Sequence, residues 1–168
     1  MDSSRAFPIP CYTPEASGSH LLEPLFEPTV FTKLKALTAR YQSADRSRVR
    51  GGERGPVKYL ELERWVPKHL HYANWLAPRG APLKILDLGM GAGYFLYLCK
   101  QNGHHVVGLD VDRDVLYAEL AELFQITRVL HKIRPFEPLP EFEMRFDLIT
   151  AFQIVFNGHR LPSLWGIA

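Results

Sequence analysis

Cysteine is scarce in this 168-residue chain: Cys11 and Cys99 lie 88 positions apart and outside any C-x-x-C pattern. That excludes a metal site or redox motif built on cysteines and leaves one long-range disulfide as an option. Reduced thiols in a cytoplasmic protein are the more economical reading. A long hydrophobic run is missing too. The most apolar stretch, Ile85 to Cys99, is broken by Asp87 and by glycines and alanines, so neither a membrane span nor a membrane partner is expected. The opening Met-Asp-Ser-Ser-Arg-Ala-Phe-Pro has no basic segment followed by an apolar one, and no signal peptide is read there. Charge of one sign is also lacking, because the net charge of +2 is too small to argue for a polyanionic partner. Twelve basic against eight acidic residues lie before Pro82, a mild excess confined to the first half.

The remaining composition is that of a globule. With 46% hydrophobic and 23% charged residues, the chain is neither disordered nor low in complexity. Its length suits one substantial core. Five prolines among the first 30 residues make that stretch extended and irregular. Thr29 to Ala44 reads as a helix, with Val30, Leu34, Leu37 and Tyr41 at helical spacing. Asp45 to Pro56 carries four arginines around Gly51-Gly52. It reads as a solvated loop rather than a phosphate or nucleic-acid contact, since no aromatic interleaves the arginines. Val57 to Ala77 is a second helical region that Pro67 should kink or split.

From Leu83 onward strand and helix alternate. Strands are expected at Leu83–Leu88, His105–Leu109, Thr127–Ile133 and Phe146–Phe152. Helices are expected at Gly93–Gln101, stopped by Asn102-Gly103, and at Asp112–Phe124 with Asp112 as N-cap. Helix-length crossovers imply a parallel sheet with helices on its faces, an α/β fold. The chain accordingly divides into a Pro-rich and helical extension or lid, 1–82, and a sheet domain, 83–168.

The informative segment is Asp87-Leu88-Gly89-Met90-Gly91-Ala92-Gly93-Tyr94, which follows a strand and opens a helix. A dinucleotide fingerprint, G-x-G-x-x-G, would need glycine where Tyr94 or Leu96 stands. The pattern present is G-x-G-x-G with an acid two residues ahead. An acid there repels a pyrophosphate yet accepts from an ammonium group, so the loop suits a zwitterionic amino-acid moiety. Asp110 closes the second strand 21 residues after Gly89, about where an acid meets ribose hydroxyls in such sheets.

Together, the loop, Gly108-Leu109-Asp110-Val111-Asp112 and Arg145-Phe146-Asp147-Leu148-Ile149-Thr150-Ala151-Phe152 resemble the class I S-adenosylmethionine-dependent methyltransferases. The resemblance runs from Leu83 to about Asn157. It implies an open Rossmann-like parallel sheet of order 3-2-1-4, with S-adenosylmethionine as cofactor and S-adenosylhomocysteine as product. It also implies methyl transfer to a small or medium-sized acceptor. Asp87 and the loop, with Gly89, Met90, Gly91, Gly93 and Tyr94, would hold the methionine part, Asp110 would bind ribose, and the segment after the third strand, with Ile133, would flank adenine; Val111 and Phe152 complete the expected cofactor-binding set. The chain departs from the family at Lys132-Ile133-Arg134-Pro135-Phe136, where a short polar or acidic residue often stands. It also lacks the Asn/Asp-Pro-Pro-Tyr/Phe signature of enzymes that methylate nucleic-acid amino groups, which argues against a nucleic-acid substrate.

The family sheet has seven strands, ordered 3-2-1-4-5-7-6, and only four are read here. The resemblance therefore implies C-terminal shortening, with an open fourth strand. The chain is then a fragment, or another chain covers that edge, for example a second copy forming a homodimer. The alternative function is a non-catalytic cofactor-binding or interaction module. A nicotinamide oxidoreductase is disfavoured by Tyr94 and Asp87, and an aminopropyl transferase by the lack of an acidic acceptor-site motif.

Several residues carry bland readings beside sharper ones. Asp87 and Asp110 could serve only as loop hydrogen-bond partners. His69-x-His71 and His104-His105 diverge in direction, so no metal site is expected. Trp65, Tyr72 and Trp75 read first as a core-facing stripe and second as a pocket wall. Tyr94 either shields a sulfonium with its ring or simply packs. His131, Gln153 and His159 have no feature that singles one out as a base.

Overall fold

The computed structural model describes residues 22–45, 56–76, 81–111, 114–134, 136–152 and 154. Residues 1–21 with Cys11, the four arginines of 46–54, Asp112, Gln153 and His159 lie outside them. The expectation of an extended, irregular stretch over the first 30 residues fails at its end, where Glu23–Leu25 forms a 3-10 turn and a helix begins at Pro28, prolines being tolerated in a first turn. Four strands, β1 (Lys84–Leu88), β2 (His105–Asp110), β3 (Thr127–Leu130) and β4 (Leu148–Thr150), form one parallel sheet of order β3-β2-β1-β4. The helices are α1 (Pro28–Asp45), α2 (Leu62–Leu76), α3 (Tyr94–Gln101) and α4 (Val115–Leu123), with 3-10 turns at Glu23–Leu25 and Pro56–Leu60. The expected open α/β sheet is therefore the observed one.

Strand periodicity builds two cores. Successive residues of a strand face opposite sides. Ile85 joins a cluster fed by all four helices, whereas Leu86, Val107 and Leu109 face the other way. Among the described residues no helix contributes to the cluster on that second face. The face is covered by the long connection from β3 to β4, through Ile133, Leu139, Phe142 and Phe146, with the two phenylalanine rings edge to face at 5.0 Å. The prolines at 138 and 140 donate no backbone hydrogen bond, which explains why a crossover of this length forms no helix.

Residues 94–99 of α3 are all buried, as expected of a helix apolar on every side. The sheet lies beneath it and α2 packs against it. The N-terminal elements share this core. Phe26 stacks on Tyr97 at 5.2 Å and on Phe31 at 5.8 Å, and the Glu27 amide donates to the Tyr97 hydroxyl at 3.0 Å. Arg40 of α1 pairs with Glu119 of α4.

Element boundaries differ from the sequence reading by more than one residue at four places. The break in the second helical region falls at Glu61, between the 3-10 turn and α2, and Pro67 sits inside α2. α4 starts at Val115, with Asp114 as its N-cap: the carboxylate accepts from the Leu116 amide at 2.8 Å. β3 stops at Leu130, although the His131 amide adds one more bond to the Asp110 carbonyl at 2.9 Å. β4 spans only three residues, Leu148–Thr150, paired with Ile85–Asp87 of β1, and the Asp147 amide adds a bond to the Lys84 carbonyl at 2.9 Å. It forms an edge of the described sheet, with Ile149 54% exposed.

The cap gives a direct test. Asp114→Ala should cost about 1 kcal/mol in a urea unfolding titration, with Asp114→Ser recovering most of it; an unchanged midpoint for the alanine variant contradicts the assignment.

Candidate functional site

The turn after β1 crosses the C-terminal end of β2 and is fastened to it. The Leu109 carbonyl accepts from the Gly89 amide at 2.7 Å and from the Met90 amide at 3.2 Å. The Asp110 carboxylate accepts from Gly91 N–H through Oδ2 and from Val111 N–H through Oδ1, both at 2.7 Å. Gly89, Gly91 and Gly93 have φ of 71°, 52° and 74°, which residues with a Cβ adopt only at a cost, so the loop needs its glycines for conformation. Gly108 answers a different need. A Cβ there would lie 2.1 Å from the Met90 sulfur, so the missing side chain is the space in which Met90 is stored.

Beside this loop lies a cavity of about 340 Å3, within the range of small-molecule sites. Asp87, Gly89, Met90, Gly91, Asp110, Val111 and Phe152 line it, so seven of the ten residues singled out from the sequence converge there. The other three lie elsewhere. Gly93 is buried at the start of α3, where a Cβ would meet Met90 and Ile126. Tyr94 is buried and its hydroxyl donates to the Tyr59 carbonyl at 2.9 Å, so it packs and holds the neighbouring wall. Ile133 belongs to the cluster on the opposite face of the sheet, because the chain turns onto that face after β3.

The structure adds wall residues that the motif could not reveal: Tyr59, Trp65 and His69 from the N-terminal region, Tyr117 from α4, and Ile154. Trp65 and His69 are four apart on α2 and so share a face. That spacing was the available signal, since Trp65 already read as inward. Trp75 and Tyr72, also considered for a pocket, are 62% and 45% exposed.

The electrostatics are one-sided. Both charged residues of the described wall are acids, Asp87 and Asp110, and no lysine or arginine lines it. Asp87 is only 3% exposed and accepts from the Thr150 hydroxyl at 2.7 Å. Burial pushes its carboxyl up to about 7. The charge of Asp110 works in the same direction and the Thr150 hydrogen bond works against it. His69 is driven the other way, to about 4, by burial and then by the charge of Lys68. Burial and the neighbouring Asp87 likewise raise the Cys99 thiol to about 12, so this buried thiol stays protonated. Among the described residues, no three His, Cys, Asp or Glu side chains gather as a metal site would require, and no helix is long and apolar enough to cross a membrane.

Set against protein-family models, curated proteins and solved structures, the chain matches none.

Two predictions follow the geometry. Asp87 has a folded-state pKa above its unfolded value, so its stabilising contribution is present below about pH 4 and is lost as pH rises through 7. Asp87→Asn should therefore unfold at a higher temperature than the natural chain at pH 8.5, with the gap closing toward pH 5; a gap independent of pH contradicts the assignment. Gly108→Val should destabilise the fold by about 1–3 kcal/mol through overpacking. Combining it with Met90→Ala should recover part of that loss in a double-mutant cycle, whereas strict additivity would show that Met90 is not the colliding group.

Proposed function

We propose that the cavity binds S-adenosylmethionine and that the chain transfers its methyl group to a small acceptor. The observation that carries this reading is the pairing of two carboxylates with aromatic walls and no lysine or arginine among the described wall residues. A diphosphate finds no cation there. A ligand carrying an ammonium and a sulfonium meets favourable charge from Asp87 and Asp110 and the aromatic side chains of Tyr59, Trp65 and Tyr117. The same contrast disfavours a nicotinamide dinucleotide.

The residues fit the parts of this ligand. Asp87, ionised, would accept from the ammonium group, and a bound cation would in turn favour its ionised form. The two Asp110 oxygens each hold one backbone amide and keep acceptor capacity for ribose hydroxyls. Gly89 and Gly91 expose bare backbone to the cavity. The cofactor, once bound, supplies a methyl group on a good leaving group. The protein's own share is to hold donor and acceptor in line and to keep water out. Phe152 sits against Phe95 at 4.8 Å and Tyr72 at 4.7 Å, which fixes it as an apolar wall for that purpose.

Calorimetric titration with S-adenosylmethionine should give saturable one-to-one binding that strengthens from pH 5.5 to pH 8 as Asp87 ionises. Asp110→Ala should weaken it at least tenfold, and NAD should not bind. A cooperatively folded chain that ignores S-adenosylmethionine sinks the proposal, and preference for NAD would replace it with the oxidoreductase reading.

A further inference from the structure

Charge is divided between two neighbouring spaces. The main cavity holds Asp87 and Asp110 and, among its described wall residues, no lysine or arginine. A second depression of about 400 Å3 is lined by Lys68, His69, His71, Tyr72, Ala151 and Phe152, with no acid in that described lining. His69 and Phe152 border both spaces, so the two adjoin. Lys68 supplies the fixed charge of the second one. Its ammonium lies 4.8 Å from the centre of the Trp65 ring, and Trp65 is buried and tied to the 3-10 turn, its indole N–H donating to the Lys58 carbonyl at 2.8 Å. Such a contact restrains an exposed side chain without neutralising it. Two more cations stand close by: Arg64 at 5.3 Å from the same ring, and Lys58 at 5.1 Å from the ring of Tyr59, which packs on Trp65 at 4.7 Å. Arg64 also reaches Glu61 at 3.5 Å, whereas neither lysine forms an ion pair among the described residues. None of the three lines the main cavity. The charge of Lys68 is nonetheless felt at its wall, where it adds to burial in lowering His69.

We propose, resting on the methyl-transfer reading, that the depression receives a methyl acceptor carrying an oxyanion, a carboxylate or a phosphate, and that the Lys68 ammonium holds it. The arrangement separates two reactants of opposite charge. The donor of that reading is a cation and has acids around it. An anionic acceptor finds beside it a lysine that no carboxylate occupies. A cationic acceptor would meet Lys68, Arg64 and Lys58 as like charges, which is how a site rejects a wrong partner. Ala151 and Phe152 leave the rest of the depression apolar, so the body of the acceptor can be a hydrocarbon.

The test keeps the body constant and varies the charge. The full chain, saturated with S-adenosylhomocysteine, is titrated by ligand-detected NMR with 2-naphthoate, 2-naphthyl phosphate, 2-naphthamide and 2-naphthylmethylammonium. At least one anion should bind about fivefold more tightly than the amide at low salt, and the preference should shrink at high salt; the order of the two anions tells a carboxylate from a phosphate. Lys68→Gln should bring that anion to the affinity of the amide, and Lys68→Glu should favour the ammonium probe. Both variants should keep cooperative unfolding and S-adenosylhomocysteine affinity, because Lys68 is exposed and outside the main cavity. Equal affinity for all four probes, no binding of any of them, or an anion preference that survives Lys68→Glu overturns the proposal and leaves the cofactor reading standing. A chain that ignores the probes but binds a single-stranded oligonucleotide through Lys68 replaces the small anion with a polyanion. Failure of S-adenosylhomocysteine itself to bind overturns both readings.

Discussion

The fastening of the β1–α3 turn to the end of β2 is the constraint on which the site depends. The Leu109 carbonyl and the Asp110 carboxylate between them take four backbone amides, those of Gly89, Met90, Gly91 and Val111. Backbone amides in a tight turn must find partners, and here the neighbouring strand supplies them. Asp110 is thus a structural clamp before it is anything else. The clamp also decides where ligands can lie, because a loop held down on β2 leaves its glycines facing the cavity. Met90 completes the arrangement by filling the space over Gly108.

Burial then sorts the ionisable groups of the cavity. The same desolvation raises an acid and lowers a base, so Asp87 moves toward neutrality near pH 7 and His69 becomes a neutral imidazole. Two carboxylates close enough to influence each other, with no lysine or arginine in the described wall, give the cavity an acidic wall. The N-terminal helices share in this. They carry Trp65 and His69 to the wall, while the Phe26–Tyr97 stack joins the N-terminal chain to α3. Their packing in one core with the sheet makes the extension a wall of the site rather than a separate appendage.

Much of this was legible from local pattern. Short apolar segments at Leu83–Leu88 and His105–Leu109 marked the central strands, and helical spacing marked α1. Glycine spacing after a strand marked the turn. Where the reading missed, a longer-range contact had intervened. β4 is shorter than its apolar run, pairing with β1 over three positions only. Ile133 was assigned to the base side from its place after β3, yet the crossover carries it to the opposite face beside Leu86 and Val107. Tyr94 carried two readings from sequence, and its hydrogen bond to the Tyr59 carbonyl settles it as packing.

The sequence by itself determined the parallel α/β class, the glycine turn and the identity of its two acids, because these follow from periodicity and from conformations that few residue types tolerate. Tertiary structure decided the rest: which oxygen of Asp110 holds which amide, how deeply Asp87 is buried, and that His69 reaches the cavity wall beside Phe152. Those properties depend on groups 19 to 83 residues apart in the chain, such as Asp110 and Gly91 or Phe152 and His69. Their approach is set by how the helices and the long crossover pack on the two faces of the sheet, a quantity no local pattern encodes.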